Sequence, residues 1–432
     1  MRLTLENIAK VRKADVEING ITVIAGENNT GKSTVGKALY SVFNSLYHVE
    51  DQIKEERVKT IVSLLNGIYL RTAKRRYVDI SHMDRNDIAE QILENYYEQP
   101  HQGNYTEHSI SAFLREKIVE KNVVADDKEI KETARKIKDV LEVPDDEILK
   151  LVLASKLNSE FNKQINNIYH DDQGTIYLTI RKEQIGIVIS DNFIKEMKKP
   201  IGLQTEVVYL DDPFVLDESG ASVGLIPLPA LLTRSIGENH RSDIREKLSD
   251  SQRESTTIDE ILINRKLKRI YEKLDAICDG QIIPRDVYGF GYKRKDSNKI
   301  LDVKNISTGL KTFVILKTLL INGTLKENGT IILDEPEIHL HPQWQLLFAE
   351  LIVLIQKEFN MHILLNTHSP YFLQAIEVYA AKYEIADKCK YYLAQLEGDM
   401  AVIDDVSDST ETIYKLLAKP FQDLENVRYE ND

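Results

Sequence analysis

Gly26-Glu-Asn-Asn-Thr-Gly31-Lys32-Ser33 sets two glycines, a lysine and a hydroxyl at the spacing G-x-x-x-x-G-K-[ST]. Glycines so placed let backbone N–H groups curl around phosphate oxygens, while the lysine ammonium reaches the outer phosphates. Far downstream, Ile331-Ile-Leu-Asp334-Glu335-Pro336 carries two adjacent carboxylates, and Asn366-Thr367-His368-Ser369 adds an imidazole. The combination suits a nucleoside triphosphate, its magnesium ion and an attacking water. In that chemistry Asn28-Asn29-Thr30-Gly31-Lys32, with Ser33 and Thr34, would cradle the phosphates. Ser33 and Asp334 would hold Mg2+, and Glu335 would orient and deprotonate the water.

Such groups need rigid elements to bring them together. Ile21-Thr-Val-Ile-Ala25 is a β-branched run that reads as a buried strand, and Thr34 to Phe43 has apolar residues at helical spacing. A strand, a glycine loop and a helix start in that order aim the positive end of the helix dipole at the phosphates. Gly329-Thr-Ile-Ile-Leu-Asp334 and Met361-His-Ile-Leu-Leu-Asn366 read as two further buried strands. They deliver the acids and His368 at C-terminal strand ends, where open α/β sheets bind ligands. A glycine turn, a solvated acidic turn and an exposed histidine are each ordinary alone; their order along one chain is what points to a site. Asn305-Ile306-Ser307-Thr308-Gly309-Leu310-Lys311 opens an apolar helical stretch from Thr312 to Ile321, and by itself it is a good helix N-cap.

At these blocks the chain resembles the OLD-like branch of ABC-type, SMC-related AAA family ATPases, and among them the ATPase subunits of anti-phage systems such as Septu or PARIS. The most specific residues are Asp334-Glu-Pro-Glu-Ile-His-Leu-His-Pro-Gln-Trp344, with its Leu340-His341-Pro342 turn, and Thr367-His-Ser-Pro-Tyr371. Leu3-Thr-Leu-Glu-Asn-Ile8 and Val207-Val-Tyr-Leu-Asp-Asp-Pro213 are similar to the opening and re-entry strands of that branch. The likeness covers about residues 1–46 and 205–375, and no glutamine-loop residue matches, Gln204 and Gln281 both fitting poorly. It implies an α/β fold: an ABC-type P-loop NTPase sheet with helices, plus a mainly helical insertion carrying a β-hairpin. It also implies ATP and Mg2+ as cofactors, and His368 as the residue that senses the γ-phosphate beside Glu335. Ser307 and Gly309 then stand in the signature motif, whose helix N-terminus offers donors to a γ-phosphate held by another protomer. The resemblance therefore implies a head-to-tail homodimer or higher even oligomer closing around ATP, slow dimer-dependent hydrolysis, and a separate effector protein, a nuclease or toxin, under its control.

The expected division is 1–46 for the first part of the ATPase domain and 47–204 for the helical insertion with its hairpin, Thr175–Ile180 and Gln184–Ser190. The second ATPase part is 205–375, and 376–432 is a C-terminal hairpin and helix. The insertion reads as helices at 109–119, 130–141 and 147–168, broken by Pro100 and Pro144, with no long heptad run. At the C-terminus a helix begins near Thr410 and Pro420 is expected to interrupt it. That tail offers one hairpin, not the Toprim nuclease domain of some relatives, so the isolated chain is not expected to cut DNA or RNA.

With 432 residues, 42% of them hydrophobic, there is ample material for a core. A net charge of −13 argues against strong nonspecific binding to nucleic acid, which draws its affinity from neutralised phosphates. Two basic clusters, Lys74-Arg75-Arg76-Tyr77 after Arg71 and Lys293-Arg294-Lys295, leave room for a weak local contact. The two cysteines, Cys278 and Cys389, have no metal-ligand spacing. No apolar run approaches a membrane span and the N-terminus starts as a strand, so a cytoplasmic protein without membrane contact is expected. Two other functions stay open: a DNA-maintenance or repair ATPase that clamps nucleic acid, and an ATP-gated anticodon-type ribonuclease using Arg234 and His240, whose spacing occurs in HEPN-type ribonucleases and also by chance.

Overall fold

The N-terminal residues pair at once, β1 (Arg2–Ile8) with β2 (Val11–Glu17), burying Leu3 and Leu5 of one strand and Ala14 and Val16 of the other at alternate positions. β3 (Ile21–Gly26) is buried throughout, as are β7 (Val207–Leu210) and β11 (Thr330–Asp334), and β12 (His362–Thr367) nearly so. Such continuous apolar runs belong to parallel strands covered on both faces. The sheet is completed by β4 (Gly174–Ile180), β5 (Glu183–Ser190), β6 (Phe193–Lys198), β13 (Cys389–Glu397) and β14 (Met400–Asp405). In this computed structural model, which describes residues 1–73, 82–98, 106–120, 126–170, 172–198, 202–218, 239–249, 267–285 and 289–430, the eleven strands run β6-β5-β4-β1-β2-β14-β13-β3-β12-β11-β7.

The segment β13-β3-β12-β11-β7 is parallel, with Ala394 opposite Gly26, Ala25 opposite Thr367, and Asn366 opposite Asp334. The loop 26–33, the acidic pair Asp334-Glu335 and His368 therefore leave the sheet at the same edge. One face of these strands, including Val23, Ile331, Leu333 and Leu365, joins the core with helices Thr308–Ile321, Pro342–Phe359 and Pro370–Lys382. Phe313 anchors that core with its ring edge-on to Trp344 and Phe348. Helix Lys32–Ser45 lies on the other face, where Gly36 lets it close on Ile332 and Tyr209.

Residues 1–47 and 154–432 form one compact unit and residues 48–153 a second. The second is helical where it is described, and Ile61, Leu65, Ile92, Leu114 and Ile137 share its core. The hairpin expected within the insertion is instead part of the main sheet. β4 pairs with β1, placing Leu178 beside Leu3 and Ile176 beside Leu5, and β6 adds a third strand through the left-handed turn Asp191-Asn192. Helix Asp145–Glu160 ends earlier than the sequence pattern suggests, because Asn162 and Lys163 take left-handed backbone conformations. The C-terminal helix Glu411–Glu430 runs on through Pro420 rather than stopping there, with residues 418–428 exposed. A separate sheet orders β10 (Ile300–Asp302), β9 (Gly289–Arg294) and β8 (Gly280–Arg285).

Candidate nucleotide site

The loop after β3 turns on two left-handed residues, Asn29 (φ 64°) and Gly31 (φ 76°), and Gly31 is the N-cap of helix Lys32–Ser45. A Cβ on Gly31 would stand 2.7 Å from Val11 Cγ2, so glycine is required there on both counts. Thr30 Oγ1 donates to the Glu27 carbonyl at 2.7 Å and closes the loop on itself. No acidic residue occupies the first turn of the helix, which leaves its positive end uncompensated and ready for an anion. Asn28, Asn29 and Ser33 are exposed, and Thr34 is buried beneath them. Lys32 is only 4% exposed; its ammonium donates to the carbonyls of Gly26 (3.1 Å) and Glu27 (2.7 Å) and lies 3.4 Å from Glu335 Oε1.

His368 Nδ1 stands 3.4 Å from the same Glu335 oxygen, so one carboxylate oxygen faces both the Lys32 ammonium and the His368 imidazole. The His368 imidazole first, and Lys32 after it, hold the Glu335 carboxyl below its ordinary range; burial opposes them and loses. Glu335 in turn raises His368. The Glu335 backbone is left-handed (φ 48°), a conformation costing about 1–3 kcal/mol in a non-glycine residue. Its N–H donates to the Asn366 carbonyl at 2.9 Å, which fixes the turn that aims the side chain.

Asp334 is 7% exposed and accepts from Tyr209 OH on Oδ2 and from Asn366 Nδ2 on Oδ1, both at 2.9 Å. Among the described residues no lysine, arginine or histidine pairs with it, so its charge is oriented by neutral donors yet left uncancelled. That is a fit for a divalent cation. Among the described residues no group of three or more acids, histidines or cysteines could hold a metal ion by protein alone.

The family profile described as an AAA ATPase domain matches residues 1–373. The chain belongs to the AAA ATPase domain family. A Septu protein PtuA from Bacillus thuringiensis is 31% identical over 99 residues, a match spanning 19% of this ATPase and 23% of that protein's length. Three solved structures align with it at low likeness. One is the SMC head bound to the C-winged helix domain of ScpA: 12% identity, 95% of this chain and 98% of that one, TM-score 0.41. Another is the SMC head domain from Thermotoga maritima: 10% identity, 94% and 98%, TM-score 0.38. The third is the Smc head domain with an extended coiled coil, bound to the C-terminal domain of ScpA derived from Pyrococcus furiosus: 12% identity, 99% and 98%, TM-score 0.38.

In this ATPase the loop 26–33, Asp334–Glu335 and His368 meet, and Ser307 and Gly309 do not join them. Ser307 Oγ caps helix Thr308–Ile321, accepting from Leu310 N–H at 3.4 Å, and Ser307 is exposed. Gly309 packs on the His339 carbonyl and the Trp344 ring, within the segment that follows Glu335. A cleft of about 90 Å³ beside Asp334 and Glu335 is bounded by Asp211, Asp212, Thr312 and His339. Gln204 precedes β7, at the opposite end of the sheet from Asp334, and Gln281 sits on β8, so neither serves the site.

Sequence reasoning missed three residues around the site. Glu337 is 1% exposed, accepts from Thr367 Oγ1 and from His368 N–H (3.3 Å), and so fixes the histidine's backbone; burial raises its carboxyl above the usual range against those donors. Gln345 ties three segments, donating to the Leu340 carbonyl (3.1 Å) and accepting from Ser369 Oγ (3.2 Å). Tyr209 is the third. The acidic spacing Glu335-Pro-Glu337 was visible as a motif, but only the fold shows which acid turns inward.

His240 is 5% exposed, with Nδ1 2.7 Å from Glu160 Oε2 and Nε2 3.1 Å from Asp211 Oδ2. Burial alone would lower its pKa; the contacts with Asp211 and Glu160 outweigh that and push it up to about 9. The histidine of the ribonuclease reading is thus buried and held by two carboxylates, and Arg234 lies outside the described residues. Of the basic clusters, Arg294 pairs with Asp279 and Asp296 and Lys295 with Asp275, while Lys74 to Tyr77 lie outside the described residues. No helix among the described residues is long and apolar enough to cross a membrane.

Proposed function

We propose that this AAA ATPase binds ATP with Mg2+ between the loop 26–33 and the ends of β11 and β12, and hydrolyses it slowly as a head-to-tail dimer. Lys32 and the loop amides bind the phosphates, and Ser33 and Asp334 hold the metal. Mg2+ when bound neutralises charge on the phosphates. Glu335 accepts the proton of the attacking water, with His368 alongside, and Ser307 and Gly309 act on the partner protomer's nucleotide. The observation that carries this reading is the single Glu335 oxygen shared by Lys32 and His368 at 3.4 Å each. A γ-phosphate competes for the Lys32 ammonium and the His368 imidazole, which frees the carboxylate as a base only when nucleotide is in place. The exposed Ser307, at the N-cap of helix Thr308–Ile321, supports a role in trans.

The cellular role proposed is control of a separate nuclease or toxin in cytoplasmic antiviral defence. The match to a Septu protein and the Asp334–Trp344 motif support it. Calorimetry and sedimentation test the biochemical part. Lys32→Ala should lose ATP binding, whereas Glu335→Gln should bind ATP, hydrolyse it about 100-fold or more slowly, and accumulate as a dimer. Equal ATP affinity in wild type and Lys32→Ala refutes the phosphate assignment, and a monomeric Glu335→Gln protein in ATP refutes the dimer. Cleavage of tRNA or plasmid by the purified chain refutes the separate effector.

A further inference from the structure

Asp334 is held from both sides by donors on the strands that flank β11: Tyr209 from β7 and Asn366 from β12. Tyr209 is 1% exposed. Helix Lys32–Ser45 closes over its hydroxyl, where a Cβ on Gly36 would come within 3.3 Å of it. A phenol has a single proton to donate, and here it goes to Asp334 Oδ2. The ring has its own support: it stacks on the His240 imidazole with centroids 4.2 Å apart and planes 21° from parallel, and Tyr40 leans on it at 6.1 Å. His240 is clamped in turn. Glu160 takes both its Nδ1 (2.7 Å) and its backbone N–H (2.6 Å), and Asp211 stands 3.1 Å from Nε2.

We propose that Tyr209 is a positioning residue for Asp334, and that His240, locked between Glu160 and Asp211, is the platform that holds the Tyr209 ring. The inference rests on reading Asp334 as the metal carboxylate. A neutral donor suits a metal carboxylate, because a lysine or arginine in the same place would cancel the charge the cation needs, whereas the phenol fixes the carboxylate's orientation and leaves its remaining lone pairs free.

The test is Mn2+ binding, followed by electron paramagnetic resonance, to the full chain saturated with a non-hydrolysable ATP analogue. Tyr209→Phe should weaken Mn2+ by about ten-fold, the loss of one hydrogen bond to a charged group, while leaving the analogue's affinity in excess EDTA unchanged. His240→Gln should move Mn2+ affinity in the same direction by a smaller factor. In an Asp334→Asn background Tyr209→Phe should have no further effect. Unchanged Mn2+ affinity in Tyr209→Phe, in a protein where Asp334→Asn does weaken it, overturns the inference and spares the metal site. A Tyr209→Phe protein that also loses metal-free nucleotide affinity overturns it in favour of a general structural role. Unchanged Mn2+ affinity in Asp334→Asn overturns the metal reading itself, and this inference with it.

Discussion

The His240 clamp makes the folded protein's stability depend on pH in a calculable way. Its pKa rises from 6.5 in an exposed histidine to about 9 here. At about 1.4 kcal/mol for each factor of ten in proton affinity, protonation favours the fold by about 3 kcal/mol. The sign follows from linkage. Between pH 6.5 and 9 the native chain binds a proton that the unfolded chain has released, so stability falls as pH rises; the contribution is complete below 6.5 and gone above about 9. A second route gives a similar size. Glu160 has a side chain 1% exposed and His240 as its cation, whereas Asp211 also has Arg241 at 2.8 Å. Removing His240 therefore strands one buried carboxylate, a change that costs about 3–5 kcal/mol. Urea unfolding of wild type and His240→Gln from pH 6 to pH 10 measures it. The difference between the two proteins should shrink by about 3 kcal/mol across that range, with most of the fall between pH 7 and 9. A difference that stays constant with pH refutes the charged clamp.

Gly31→Ala should fold but bind ATP far more weakly, since its left-handed backbone alone adds about 1–2 kcal/mol of strain and its Cβ meets Val11; calorimetry reads the loss. Thr367→Val removes the hydroxyl that satisfies Glu337 and should cost about 1–3 kcal/mol in a thermal or urea melt, an effect Glu337→Gln should not match because the amide oxygen still accepts. Ser307→Arg and Lys32→Ala should each be inactive as ATPases, and mixing them should restore about one composite site per dimer; mixtures as inactive as their components would argue against action in trans.

What could be read from the chain alone was whatever is local. The glycine loop, the acidic pair and His368 each end a short apolar run, and a run of that kind announces both its strand and the residue at its end. Tyr209, Glu160 and His240 carry no such announcement. Tyr209 lies inside a buried strand where an aromatic side chain is ordinary, and its hydroxyl matters only because β7 is laid beside β11. Glu160 was hidden by helical periodicity that continues past it, although its helix ends there and Asn162 turns left-handed just beyond. β6 was missed because its exposed residues do not alternate, although Asp191-Asn192 was a usable turn signal.

The C-terminal hairpin shows the same limit from the other side. Local pattern gave its two strands and made them look like an appendage, yet β13 lies in parallel against β3, with Ala394 beside Gly26. A Cβ on Gly26 would fall 2.2 Å from the Ala394 carbonyl oxygen, a distance no side chain can tolerate. The first glycine of the phosphate loop is thus required twice, by the phosphates it would admit and by the strand that packs against it. Its partner Gly31 is constrained likewise, with Val11 of β2 at 2.7 Å and Ala401 of β14 at 3.4 Å from the missing Cβ. Contacts between strands distant in sequence therefore fix the loop's backbone from outside, and that is why a motif so short can hold its shape at the edge of a sheet.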